Sequence, residues 1–235
     1  MNLVFLGDIH AHLAALDAVL ADVRRKPTDR IYHLGNVVGL GPQPREVLAR
    51  LQEEGIDGVR GPHDERVATG FDVPVGRRAD DSEDLARSIC AWTRDRLSAR
   101  ERDPLARLPF MRSVSSGRMT VAFFHAHPVE MTRAATADRP DDFFREMSAY
   151  SRARVNVFAH THRPFWRVVD GDWFVNAGSV GCAAGDGKGV SYARVELNGG
   201  AAVRIERVTL DPAPVVAAVA EAGLDPGVLR LLGVD

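Results

Sequence analysis

Six of the eight histidines in the chain stand directly behind short apolar runs or within two residues of such a position: His10, His63, His125, His127, His160 and His162. Independent core histidines would not gather at strand ends in this way. Asp8 lies two residues before His10, so a carboxylate and an imidazole leave the first apolar run together. Two His-x-His pairs, His125 with His127 and His160 with His162, can each direct alternate side chains into one cleft. A hard carboxylate mixed with borderline imidazoles suits Mn, Fe, Zn or Ni, whereas Ca takes oxygen ligands. An Asp-x-His behind a strand is by itself more often a capping pattern. The whole constellation is what points to a metal-binding cleft.

Such side chains need strands that end in loops. Leu3-Val4-Phe5-Leu6 is a short apolar run that stops at Gly7 and releases Asp8 and His10. Residues 12–25 place Leu13, Leu16, Val19, Leu20 and Val23 on one helical face. A second strand, 31–34, ends at Gly35 and presents Asn36; a third, 58–60, runs into Gly61-Pro62-His63-Asp64. Strand, helix and strand in alternation predict parallel pairing, with sites at the carboxyl ends of the strands. A helix over 44–54 opens with Pro44, and 80–108 reads as a helical stretch in which Ser98 caps a second, shorter helix. The β pattern returns at 119–124 before His125, a helix follows over 141–152, and a strand over 155–159 ends at His160. Asp170-Gly171-Asp172 predicts a hairpin turn, 191–197 and 201–210 predict two more strands, and 211–233 a helical tail.

The bulk properties exclude several classes. With 235 residues, 45% hydrophobic and 26% charged, the chain can bury a large core, and one domain over 1–235 is expected, with a helical insert at 80–108 and a helical tail at 211–235. A formal charge of -2 without a basic stripe favours neither nucleic acid nor membrane as a partner. The two cysteines, Cys90 and Cys182, lie far apart without Cys-x-x-Cys spacing, which argues against a disulfide framework and against a thiolate metal site. A reducing, cytoplasmic setting is expected. The opening Met1-Asn2 runs into a strand without a charged leader or a long apolar segment, so neither a signal peptide nor a membrane span is expected.

Asp8-x-His10, Gly35-Asn36, Gly61-Pro62-His63-Asp64, His125 and Ala159-His160-x-His162, in this order, resemble the metal-binding signature of the calcineurin-like metallophosphoesterase superfamily. Gly39-x-Gly41-Pro42-x-Pro44 and Asn176-x-Gly178-Ser179-Val180-Gly181 resemble its small bacterial and archaeal phosphodiesterase branch. The resemblance implies an α/β fold: a four-layer α/β/β/α sandwich of two mixed β-sheets flanked by helices, with the metal site at the strand ends. It implies one metal held by Asp8, His10 and His162 and a second by His125 and His160. It also implies that His63 acts near the leaving group; Asp64 behind it can hold its tautomer or raise its pKa, and a loop hydrogen bond is an equal alternative for that carboxylate. Asn176 and Ser179 would shape the turn beneath the metals.

Two positions depart from the family pattern. Asn36 stands where the family has a bridging Asp, and Pro62 where it has an Asn ligand. A neutral amide can offer its oxygen to one metal but cannot offset the repulsion of two close dications. The expectation is an asymmetric site with one retained metal position and one weak or empty one, with His127, His33, His12 or Asp64 as replacement ligands. The function expected is hydrolysis of a small phosphodiester or phosphomonoester by metal-activated water, using one or two divalent ions, with a homo-oligomer allowed. The alternative is a catalytically impaired relative that binds a phosphate-containing ligand or a protein partner through the same cleft.

Overall fold

A computed structural model describes residues 1–71, 82–183 and 189–234. The chain begins β1 (Asn2–Leu6), α1 (Leu13–Val23), β2 (Arg30–His33), α2 (Pro44–Glu53), β3 (Asp57–Gly58) and α3 (Pro62–Thr69). It continues with α4 (Ser82–Arg96), α5 (Ala99–Arg107), β4 (Met111–Ser116), β5 (Met119–Phe124), α6 (Asp141–Ser151) and β6 (Val155–Phe158). The last elements are β7 (Phe165–Val169), β8 (Asp172–Asn176), β9 (Val190–Leu197), β10 (Ala201–Val208), α7 (Ala213–Glu221) and α8 (Gly227–Leu231).

Two five-stranded mixed sheets result, in the orders β10-β9-β1-β2-β3 and β4-β5-β6-β8-β7. β1, β2 and β3 run parallel, as do β5, β6 and β8, while β9, β10, β4 and β7 pair antiparallel. Side chains alternate across each strand. Leu3 and Phe5 of β1 therefore meet Val121, Phe123, Val155, Val157 and Val175 between the sheets. Val4 and Leu6 face the other way, onto Leu16, Val19 and Leu20 of α1 and Val47 and Leu51 of α2. On the far side Phe124, Phe158 and Phe174 pack under Phe143, Phe144 and Met147 of α6. The order helices, sheet, sheet, helix is the four-layer α/β/β/α sandwich.

Two local features differ from the sequence reading. The stretch after Gly61 is a helix rather than a loop, because Pro62 suits the first helical position and Asp64 accepts the Gly61 N–H at 3.0 Å. β4 escapes hydrophobic patterning because it is an edge strand of sequence Met-Arg-Ser-Val-Ser-Ser whose alternate residues are exposed. Ser98 does cap α5, accepting the Glu101 N–H while Glu101 takes the Ser98 N–H in return. The stretch 80–108 contains α4 and α5, with residues 80 and 81 outside the described ones. In the tail, Val215, Val219, Val228 and Leu232 pack on Leu40, Ile89 and Cys182. Among the described residues no helix is long and apolar enough to cross a membrane.

Candidate metal centre

The loops behind β1, β2 and β6 carry an unusual backbone. Asp8 (φ 47°), His10 (φ 51°), Asn36 (φ 52°), His160 (φ 70°) and His162 (φ 58°) are all left-handed. Asp, Asn and His tolerate this region better than most residues, yet each position still costs roughly 1–2 kcal/mol. Burial of the large side chains at the two sheet faces, worth roughly 1.5–3 kcal/mol each, outweighs that strain. Backbone strain concentrated on titratable side chains is a mark of a functional site. Glycines let the loops meet: a Cβ on Gly181 would lie 2.1 Å from the Ile9 carbonyl oxygen, and one on Gly39 (φ +122°) would lie 2.7 Å from the His63 Cβ.

Asp8, His10 and His162 converge. Their donor atoms form a triangle with His10 Nε2 to His162 Nε2 at 3.3 Å and each of those nitrogens 3.6 Å from Asp8 Oδ1. The centre of that triangle is about 2.0 Å from every corner, the length of an imidazole or carboxylate bond to a divalent transition metal. The donor set and its spacing therefore fit a cation. Asp8 is wholly buried, and its Oδ2 is held by the His160 N–H at 2.8 Å. Burial alone would raise its carboxyl, but His162 and His125 hold it well below the usual carboxylate range. Burial pushes His10 down to about 3, so its imidazole is neutral. Burial also acts to lower His162, but Cys182 and Asp8 overcome it and lift that ring to about 10.

A second group lies alongside. His125 Nε2 is 3.2 Å from His160 Nδ1 and 3.9 Å from Asp8 Oδ1. His125 Nδ1 donates to the Leu34 carbonyl at 2.8 Å, which leaves the Nε2 lone pair facing the cleft, the tautomer a ligand requires. Burial holds His125 low and brings His160 to about 3, so both rings are neutral.

Asn36 meets this group with the wrong end for a ligand. Its Oδ1 accepts the His63 N–H at 2.9 Å, and since a backbone N–H can only donate, the amide cannot be turned round. Its Nδ2 therefore faces inward, donating to Asp8 Oδ1 at 2.9 Å and lying 3.2 Å from His125 Nε2. An NH2 group cannot ligate a cation, so the expectation of Asn36 as a metal ligand does not match this geometry. Pro62, at the start of α3, offers no donor.

His63 is buried with its ring edge-on to His10, centroids 4.9 Å apart, and its Nδ1 is 3.2 Å from Cys90 Sγ. Burial first, then His10 and Arg66, push its pKa well below the usual value. Asp64 does not orient it. The Asp64 carboxylate accepts the N–H groups of Asn36 (2.7 Å), Val37 (2.8 Å), Val38 (3.3 Å) and Gly61 (3.0 Å) and so builds the loop behind β2. Burial pushes that carboxyl up to about 7, while the four donors act in the opposite direction. The contacts of Asp64 are thus those of the loop-building alternative.

The proposed replacement ligands are engaged elsewhere. His12 Nδ1 is 2.8 Å from the Gly181 carbonyl, His33 Nδ1 is 3.4 Å from the Gly35 N–H, and His127 lies edge-on to Phe143 with its Nε2 3.4 Å from Arg133 Nη1. Asn176 and Ser179 shape the turn: Asn176 donates to the Ala159 carbonyl at 2.8 Å, and Ser179 Oγ donates to the Asp8 carbonyl at 2.9 Å. Cys182 is the residue that sequence reasoning set aside. Its Sγ and the ring nitrogens of His10 and His162 lie within 4.8 Å of one another. The sole signal in the chain was its place one residue after the Gly178-to-Gly181 turn motif.

Comparisons with known proteins agree with this architecture. A family model described as a calcineurin-like phosphoesterase superfamily domain matches residues 1–200. A metallophosphoesterase from Sphaerobacter thermophilus is similar at 27% identity and a TM-score of 0.76, over 99% of this chain and 98% of that one. A hypothetical protein from Pyrococcus horikoshii OT3 shares the fold at a TM-score of 0.84 and 20% identity, over 98% of this chain and 97% of that one. An uncharacterized protein of Methanocaldococcus jannaschii is 26% identical over 178 residues, 74% of this chain and 68% of that protein. The metallophosphoesterase family implies divalent metal ions as cofactors. With its two mixed sheets, its strand-end histidines and this match, the chain belongs to the calcineurin-like phosphoesterase superfamily.

Proposed function

We propose that this chain is a metal-dependent phosphoesterase hydrolysing a small phosphodiester or phosphomonoester, with its principal cation held by Asp8, His10 and His162. The observation that carries this reading is the donor triangle, whose edges fit bonds to one divalent ion. The cation, when bound, supplies positive charge to a phosphoryl oxygen and makes a nearby water more acidic. Asp8 and His10 are sealed from solvent, while the His162 side chain is 19% exposed, so the cleft opens on that side. His125 and His160 present neutral imidazoles, and the Asn36 NH2 stands between them and Asp8 as a hydrogen-bond donor. His63 is neutral in the free protein; an anionic phosphate beside it raises its proton affinity and lets it serve a leaving group.

Mn, Fe, Zn and Ni all fit such donors, and the setting proposed is a reducing cytoplasm, in keeping with two buried free thiols. One observation favours the second reading, a binding protein without turnover. Among the described residues, the inward Asn36 NH2 and the donor-free Pro62 leave His125 and His160 for a second ion. The test is metal-free protein reloaded with each of the four metals and assayed on a chromogenic phosphodiester and monoester, with Asp8→Ala as control. Turnover that needs metal and falls at least about 100-fold in the control supports the hydrolase. Stoichiometric metal binding without turnover replaces it with the binding reading.

A further inference from the structure

We infer that Cys182 is a thiolate ligand of the principal cation, joining His10, His162 and Asp8 in a single-ion centre that selects a thiophilic metal, zinc above all. The inference rests on the metal-binding reading above and adds a donor that composition and cysteine spacing had excluded. Its Sγ lies within 4.8 Å of the ring nitrogens of both His10 and His162. Around a tetrahedral zinc with bonds of about 2.0–2.3 Å, neighbouring donors stand roughly 3.3–3.7 Å apart, so a shift of about 1 Å brings Cys182 to bonding distance alongside His10 and His162, the two imidazoles that also face Asp8. The thiol is 2% exposed and in no disulfide, and it sits where the apolar cluster of Leu40, Val215 and Leu232 meets the rings of His10 and His162.

The backbone couples Cys182 to Asp8 through one side chain. Ser179 Oγ donates to the Asp8 carbonyl at 2.9 Å and accepts the Cys182 N–H at 2.8 Å. The Gly181 N–H donates to the same Asp8 carbonyl oxygen at 2.8 Å. The two anionic donors are therefore set by one turn, as a preorganised site requires. Charge also argues for it. With a neutral amide at position 36, Asp8 is, among the described residues, the one carboxylate touching the cluster of His10, His125 and His162, and a thiolate supplies the second negative charge that neutralises a dication. Soft sulfur alongside imidazole shifts preference from Mn towards Zn and Co.

The test uses cobalt as a spectroscopic stand-in for zinc on the metal-free full chain. The wild type and Cys90→Ser are expected to show an intense near-ultraviolet thiolate-to-cobalt charge-transfer band and the strong visible bands of tetrahedral cobalt. Cys182→Ser is expected to lose the charge-transfer band and to bind zinc at least about 100-fold more weakly in competition with a chelator. If Cys182→Ser does not fold, the wild-type and Cys90→Ser spectra decide the matter, because the chain has two cysteines. Cobalt bound without a charge-transfer band overturns the thiolate ligand and leaves the phosphoesterase reading standing. A band lost in Cys90→Ser and kept in Cys182→Ser overturns it as well. Failure of the wild type to bind cobalt or zinc at all overturns both.

Discussion

Asn36 Oδ1 accepts the His63 N–H at 2.9 Å, and that bond decides which end of the amide faces Asp8. The inward NH2 donates to the Asp8 carboxylate, so it steadies the metal-free cleft and opposes a second cation at once.

Asn36→Asp reverses that balance. An aspartate keeps an oxygen for the His63 N–H but sets a second carboxylate against Asp8, where Asn36 Nδ2 now lies 2.9 Å from Oδ1. The metal-free variant is expected to lose about 1–3 kcal/mol and to bind a second equivalent of divalent metal. Denaturation with and without chelator, together with metal stoichiometry, checks both halves. An unchanged stoichiometry would show that Pro62 alone disables the second position.

Asp64→Asn tests a structural role against a catalytic one. Four backbone N–H groups converge on the Asp64 carboxylate, and an amide accepts through one oxygen while adding a donor of its own. A stability loss on the order of 2–4 kcal/mol is expected in urea unfolding. A variant as stable as the parent but without turnover would make Asp64 catalytic after all.

Gly181→Ala should be costly through backbone packing rather than through charge. The added Cβ would sit 2.1 Å from the Ile9 carbonyl oxygen, and backbone cannot swing aside as a side chain does. A loss of about 3 kcal/mol is expected, with weaker metal binding because the Gly181 N–H is bonded to the Asp8 carbonyl. Unchanged thermal unfolding and metal affinity would contradict the tight packing of these two loops.

His33 gives the protein an acid sensitivity separate from the metal. Burial lowers its pKa to about 4, from an unfolded value near 6.5. Between those values the unfolded chain binds more protons, so stability is fully present above about pH 6.5 and is lost as pH falls towards 4. The group contributes on the order of 3 kcal/mol to that loss. Urea unfolding of metal-free protein at pH 7 and pH 5 should show a drop that shrinks in His33→Gln. An equal drop in the variant would assign the sensitivity to other histidines.

Much of the site was legible because its signals are local. A short apolar run ending in glycine marks a strand end, and the polar residues that follow it, Asp8 and His10 or His160 and His162, lie at that end whatever the rest of the chain does. Motif order along the chain was then enough to identify the family, and with it the two mixed sheets. Less was legible where position depends on partners. β4 carries no hydrophobic stripe because an edge strand buries little, and sequence position could not separate the two uses open to Asp64, partner of His63 or loop hydrogen bonds.

By itself the sequence determined the strand ends, the helix faces and the set of imidazoles. Only the tertiary structure decided the direction of the Asn36 amide, the loop-building use of Asp64 and the nearness of Cys182 to His10 and His162. The physical reason is that these three depend on long-range hydrogen bonds. Val180 N–H to the Gly7 carbonyl and Gly181 N–H to the Asp8 carbonyl, both 2.8 Å, fold the turn beneath β1 and carry Cys182 to His10 and His162. Residue spacing along the chain does not encode such closures, since they join residues more than 170 positions apart.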